Sequence, residues 1–150
     1  MPKYISSIQK SYLAGFLDAD GSIYVQAKPN QTYRFGYQIA SYIVFYQSAQ
    51  DAHNFSQISD LISCGYQRKR TDGIIEHIIG RQEEIISFLK LVKPFLLMKK
   101  AQADLMEKII ILKQQVKTEQ DFQELLDLID CFRELNYSKK RKKRILPRRD

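Results

Sequence analysis

The sequence predicts an α+β fold with the element order αββαββα, followed by additional C-terminal helices. Three observations predict it. An apolar helical stretch ends in Asp18-Ala19-Asp20-Gly21 and runs straight into Ser22-Ile23-Tyr24-Val25-Gln26-Ala27, which alternates as a strand does. The unit of one helix and two strands then occurs a second time. Each strand pair is joined by turn-forming residues, Lys28-Pro29-Asn30-Gln31-Thr32 in the first and Asp72-Gly73 in the second.

The elements follow in order. The first helix starts at Ser6, where Gln9 three residues on completes a capping box. It carries Ile8, Tyr12, Leu13, Phe16 and Leu17 at helical spacing and stops at Gly21. Strands are expected at 22–29 and 33–46, then a helix at 50–63. A shorter hairpin is expected at 66–71 and 74–80. Helices at 82–91, 95–115 and 119–135 close the chain. The second half has no second Asp-x-Asp-Gly, so the acidic turn occurs once. Residues 1–138 are expected to form one domain and 139–150 a basic C-terminal tail.

At 150 residues the chain is long enough to bury a core without staples. Its net charge is +7 and its pI about 9.4, which argues for a polyanionic partner. Cys64 and Cys131 have no partner at metal-ligand spacing, which argues against a zinc site or a disulfide framework and for a reducing interior. No signal-peptide pattern is visible, and no apolar run is long enough to span a bilayer.

Gly15 and Ala19 lie four apart on one helix face, where two small residues let a second helix come close. A packed strand of the same chain is the alternative occupant. Leu13, Phe16 and Leu17, with Tyr12 beside them, are expected to turn toward the chain's own core. Tyr12 is also counted with Gly15 and Ala19 at an interface between copies. Asp18 and Asp20 stand at the helix C-terminus, where the macrodipole is already negative. A hard cation held by carboxylate and main-chain oxygens resolves that conflict, which suits Mg²⁺ or Ca²⁺. For Asp18, simple exposure to solvent is the alternative.

Strand parity sorts the first hairpin into two faces. One carries Ile23, Val25, Ala27, Ile39, Ile43 and Phe45 and is a core face. The other carries Tyr24, Gln26, Lys28, Arg34, Gln38, Ala40 and Tyr42, without an acid. Tyr66, Arg68 and Arg70 continue its character in the second hairpin. Arginine and lysine suit guanine edges and glutamine suits adenine. A nine-residue strand spans roughly 30 Å, about nine base-pair steps. An ordinary solvated sheet face is the bland alternative.

Leu13–Gly21, with the exit Asp20-Gly21-Ser22-Ile23, resembles the signature of the LAGLIDADG homing endonucleases. Other segments resemble the single-motif branch, the I-CreI-like enzymes. They are Lys28-Pro29-Asn30-Gln31 with Tyr33, Gly65-Tyr66 with Arg68 and Arg70, Pro94-Phe95-Leu96 with Lys99, and Leu135-Asn136 with Ser138 and Lys139. The resemblance spans nearly the whole chain. It implies the LAGLIDADG homing-endonuclease fold, with a saddle-shaped antiparallel DNA-binding sheet and a dimer formed through the signature helices.

Carried onto this chain, Asp20 is the expected metal ligand, with the main-chain carbonyl of Ala19. Gln47 is expected to position solvent at the scissile phosphate, and Lys99 to supply positive charge there. Asn30 and Tyr33 join the DNA-reading residues. Ser138 and Lys139 are expected on phosphates, as is Lys142 within the basic run 139–144, which also resembles a nuclear localisation signal. The expected cofactor is Mg²⁺, with Ca²⁺ occupying the site without supporting cleavage. The expected partners are double-stranded DNA and a second copy, with no membrane and no small-molecule substrate. An organelle, mitochondrion or chloroplast, is the expected location. A non-catalytic, RNA-binding intron maturase is the rival function. Two positions depart from the family pattern. Ala19 stands where glycine is usual. Ser48-Ala49-Gln50-Asp51-Ala52-His53 stands where another basic residue is usual, and His53 is read there as a surface histidine.

Overall fold

A computed structural model describes residues 4–136 of the chain. Ser138, Lys139, Lys142 and the expected boundary after residue 138 lie outside the described residues. Helix α1 (Ser7–Asp20) opens on the expected capping box: Gln9 N–H donates to Ser6 Oγ at 3.1 Å, and Ser6 N–H donates to Gln9 Oε1 at 2.9 Å. It ends where Gly21 N–H donates to the Leu17 carbonyl. A Cβ on Gly21 would stand 2.9 Å from the Leu17 carbonyl oxygen, closer than a side chain normally comes to backbone, so glycine favours the direct turn from helix into strand. Strands β1 (Gly21–Pro29) and β2 (Tyr37–Ser48) follow, then a 3-10 turn (Ala49–Asp51) and α2 (Ala52–Ile62). The second hairpin is β3 (Tyr66–Lys69) and β4 (Ile74–Ile79). Helix α3 (Gln82–Val92), a 3-10 turn (Lys93–Phe95), α4 (Lys100–Gln115) and α5 (Glu119–Leu135) complete the described chain.

The four strands form one antiparallel sheet in the order β1-β2-β4-β3. Its register pairs Ile23 with Ile43 and Tyr24 with Tyr42, so the two faces sort as strand parity predicts. Ile23, Val25, Ile43 and Phe45 are buried with the helices in one core. Phe45 sits at its centre, 5.7 Å from the Phe16 ring and 5.8 Å edge-on to Phe88. Among the described residues, no helix covers the opposite face. The C-terminal helices also reach the sheet margins: Asn136 Nδ2 donates to the Ile23 carbonyl at 3.2 Å and Lys113 Nζ to the Ile39 carbonyl at 3.3 Å.

Three expectations are corrected. Strand β2 begins at Tyr37 rather than 33, because Asn30–Gly36 forms a compact loop. Asn30 Oδ1 accepts from the Thr32 N–H, the Asn30 N–H donates to the Gly36 carbonyl, and Gly36 takes a positive φ of 83°. Arg34 therefore lies in that loop, not on the sheet face. The helix expected at 95–115 begins at Lys100, since residues 97–99 bend and two of their N–H groups bond to Asp18 of α1. Tyr12 does not join the core; it is 56% exposed.

Behind β4, His77 is buried on the core side. Its Nε2 lies 2.6 Å from the Cys64 carbonyl, which only accepts, so Nε2 carries the proton. Nδ1 then accepts from Ser59 Oγ at 3.0 Å, and Ser59 Oγ accepts from Gln67 Nε2 at 2.7 Å. The network ties the end of α2 to both strands of the second hairpin. Gly65 completes that junction at a φ of 81°, where a Cβ would overlap the Ile78 carbonyl oxygen.

Gly65→Ala is therefore expected to destabilise the fold by more than about 2 kcal/mol, read from urea midpoints. Burial holds the His77 imidazole below its ordinary value of 6.5, against the opposing pull of the Cys64 carbonyl and Glu84. The unfolded chain thus takes up a proton that the folded chain resists. This contribution to stability is full above about pH 6.5 and is lost as pH falls through the lowered folded-state value. Urea melts between pH 7.5 and 5.5 are expected to show that loss, and His77→Gln to flatten it.

Candidate functional site

The end of α1 gathers the chain's most concentrated chemistry. The last carbonyls of a helix lack intrahelical donors, and two of them are met here. Leu17 O takes the Gly21 N–H, and Asp18 O takes Lys99 Nζ at 2.7 Å. The Asp18 carboxylate points the same way: Oδ2 accepts from the Leu97 N–H at 2.9 Å and Oδ1 from the Lys99 N–H at 3.0 Å. The structure thus brings Lys99 to the terminus that bears Asp20, across about eighty residues of chain. Ala19 and Asp20 themselves are exposed. Gln47 lies two positions beyond Phe45, and Phe45 pairs with Gly21. Its backbone position therefore lies about 7 Å along β2 from the residue that pairs with the first residue after α1. Gln47 Oε1 accepts from the Ser48 N–H at 2.8 Å. His53 is exposed on α2, as expected.

A cation fits this terminus on the chemistry of the donors. The Asp20 carboxylate and main-chain oxygen are hard ligands at the negative end of a helix dipole. Among the described residues, no three His, Cys, Asp or Glu side chains converge to hold a metal. Further ligands for such an ion would have to come from main chain, a second copy or a bound phosphate.

Among the described residues, nothing covers one stripe of α1. Ile8 is 83% and Tyr12 56% exposed, Gly15 and Ala19 are exposed, and nothing stands within 4 Å of a Cβ placed on Gly15. These four fall at helical spacing, so the close-approach face foreseen for Gly15 and Ala19 is not occupied by a strand of the same chain. Leu97 and Met98, 88% and 76% exposed, lie in the segment held against the end of this helix.

The open sheet face carries the expected residues in register. Tyr24 is opposite Tyr42, Gln26 opposite Ala40 and Lys28 opposite Gln38. Lys28 Nζ donates to Tyr42 Oη at 3.2 Å, and the Tyr24 and Tyr42 rings are 5.3 Å apart. Burial, reinforced by Tyr46, Tyr42, Glu76 and Tyr66, pushes the Tyr24 phenol up to about 12, so it stays a neutral donor. Arg68 is exposed and opposite Glu76. Arg70 is ion-paired to Asp72 and Glu76, so the face is not free of acids once β4 is included. The Asn30–Gly36 loop presents exposed Tyr33, while Arg34 lies over the Phe35 ring. Phe35 stacks on Phe122 of α5 at 4.9 Å and Tyr37 at 6.4 Å from the same ring. A cleft of about 580 Å³ opens beside Lys99, lined by Ser22, Tyr24, Met98, Gln102 and Asn136 among others.

The profile of the LAGLIDADG endonuclease family matches residues 13–110, from the start of the acidic helix signature into α4. The chain belongs to that family. It is 38% identical over 132 residues to DNA endonuclease I-CreI of Chlamydomonas reinhardtii, covering 87% of this chain and 80% of that one. DNA endonuclease I-CvuI of Chlorella vulgaris is 34% identical over 100 residues, covering 67% and 62%. In structure, I-CvuI bound to the I-CreI target in 2 mM Mg, with the DNA not cleaved, superposes with a TM-score of 0.84 at 32% identity, covering 93% of this chain and 87% of that one. The archaeal intron-encoded I-Vdi141I, solved on DNA, shares the fold at a TM-score of 0.75 and 18% identity, covering 92% and 89%.

Three features of the site were not read from the sequence. Asp18 does not simply face solvent: its carboxylate accepts two backbone N–H groups. Phe122 braces the loop between β1 and β2, and Glu76 sits among the arginines of the open face. The first two depend on pairings of distant segments; Glu76 lies within one hairpin and had a local signal, its strand parity with Arg68. Phe122→Ala is expected to cost about 3 kcal/mol of stability, and to speed amide exchange across 30–37 more than elsewhere.

Proposed function

We infer that the chain is a site-specific homing endonuclease. Two copies would form a homodimer that makes a double-strand break in a long pseudo-palindromic DNA site by metal-dependent phosphodiester hydrolysis, supporting intron mobility. The observation that carries this reading is Asp20, exposed at the end of α1 beside Lys99, at the foot of an open polar sheet face and an uncovered small-residue helix stripe. The relatives named as DNA endonucleases, and the solved complexes of I-CvuI with DNA in Mg and in Ca, support it.

Asp20 and the Ala19 carbonyl would hold a divalent cation, for which Mg²⁺ is the proposed identity. A cation held there would supply Lewis-acid chemistry to the scissile phosphate, the attacking water and the leaving oxygen. Lys99 places a positive charge where negative charge accumulates on the phosphate, beside the C-terminal end of α1. Gln47 orients the attacking solvent by hydrogen bonding. Tyr24, Gln26, Lys28, Gln38, Ala40, Tyr42, Tyr66, Arg68 and Arg70 read base edges along one half-site, with Asn30, Tyr33 and Arg34 presented by the loop. Ala40 contributes a methyl contact rather than a hydrogen bond. Tyr12, Gly15 and Ala19 form the seam with the second copy, so each dimer carries two Asp20 carboxylates and asks for a roughly twofold target. Ser138, Lys139 and Lys142 add phosphate contacts and salt dependence. An organelle-encoded gene fits relatives that come from two algae.

Cleavage of a randomised duplex library, with the cut ends sequenced, tests activity, target and symmetry together. On the selected duplex, Asp20→Asn is expected to lower single-turnover cleavage by at least about 1,000-fold while leaving DNA binding in Ca²⁺ intact. Sedimentation is expected to give twice the 17.6 kDa chain mass. A monomer both with and without DNA would overturn the paired-helix reading.

A further inference from the structure

We propose that Asp18 is a positioning residue for Lys99, acting through the backbone of residues 97–99. The proposal rests on the endonuclease reading above. Its geometry is a two-pronged clamp: one carboxylate oxygen accepts the Leu97 N–H at 2.9 Å and the other the Lys99 N–H at 3.0 Å. The lysine side chain then returns to the same residue, with Nζ 2.7 Å from the Asp18 carbonyl oxygen. Three hydrogen bonds therefore join one residue of α1 to one short bent segment.

The clamp answers a physical need. A lysine ammonium rides on four flexible carbons and is a poorly placed charge unless its backbone is held. The preceding turn is already fixed to α4, where Lys93 Nζ meets Asp104 and lies 2.9 Å from Glu107. Asp18 fixes the other end of the segment, immediately before Lys99 opens α4. It also explains why the helix expected over 95–115 does not begin until Lys100: two backbone N–H groups of 96–99 are spent on a side chain of α1. Both Asp18 oxygens face amide donors of this segment, which sets Asp18 apart from Asp20, whose residue is exposed. An amide in place of the carboxylate keeps the volume but offers one acceptor. Its NH₂ would confront a backbone N–H, so one prong becomes repulsive.

The test is a double-mutant cycle on the selected duplex with Asp18→Asn, Lys99→Ala and the double variant. Asp18→Asn is expected to lower the single-turnover rate by about 100-fold, with the Kd for the duplex in Ca²⁺ and the Mg²⁺ concentration for half-maximal rate unchanged. In the Lys99→Ala background the same substitution is expected to cost less than about threefold, since the group it positions is gone. Wild-type cleavage by Asp18→Asn would overturn the proposal. So would an equal loss on both backgrounds, a raised Mg²⁺ requirement, which would make Asp18 a ligand, or loss of folding and of Ca²⁺-supported binding, which would make it a residue of the fold. Asp20→Asn run alongside keeps the two readings apart. If it too cleaves like wild type, the endonuclease site itself is misassigned.

Discussion

The rest of the molecule depends on an electrostatic problem set at one end of one helix. Helix α1 finishes with two aspartates and a row of carbonyl oxygens that have no helical donors. The macrodipole makes that end negative by roughly half a charge before either carboxylate is added. A fold that places such a terminus at its surface must supply donors or cations from elsewhere in the chain. Here the segment after α3 does so. It brings two amide N–H groups to Asp18 and an ammonium to the carbonyl beside it. The position of α4, and hence of the cleft between α4, α5 and β1, follows from that requirement. Asp20 is left without a share in this internal settlement, which is why it remains available to something from outside.

The fold was largely legible because its governing periodicities are local. Ser6 and Gln9 announce a capping box, Ile23, Val25, Ile43 and Phe45 alternate with polar residues, and Asp72-Gly73 marks a hairpin turn. The structure keeps all of these. What was not legible involves partners far apart in sequence. The bent run 97–99 reads as part of a helix until Asp18, about eighty residues earlier, takes two of its amides. The loop before β2 reads as strand until Phe35 and Tyr37 find Phe122 on α5. Arg34 and Tyr12 were misplaced for the same reason. Each obeys the local period, and each is overruled by a longer contact or by the lack of one. At the site, the roles of Asp20, Gln47 and Lys99 came from family resemblance. The structure adds the proximity of Lys99 to the helix end, a physical reason for that segment to lie there.

The open sheet face shows how a basic surface is kept orderly before it meets a polyanion. Arg70 is held between Asp72 and Glu76, and Lys28 rests on a tyrosine. The long cationic side chains thus lose part of their rotamer freedom in advance, which lowers the ordering cost of binding. Glu76 also makes the face selective by charge. A phosphate backbone presented without compensating base donors would meet a carboxylate as well as arginines, and like-charge contact is a strong penalty in a partly desolvated groove.

Asn136 and Lys113 each place a side-chain donor on a carbonyl at the margin of the sheet. An unguarded strand edge invites pairing with edges of other molecules, the first step toward aggregates. A sheet that buries both faces can hide its edges under helices, but one whose working face must stay bare has less cover to offer. In this chain α4 and α5 add single hydrogen bonds at the perimeter to their packing against the sheet. Shortening α5 from its C-terminal end would therefore do more than trim a surface helix. It would free the Ile23 edge of β1, and the damage would appear as self-association before it appeared as lost stability.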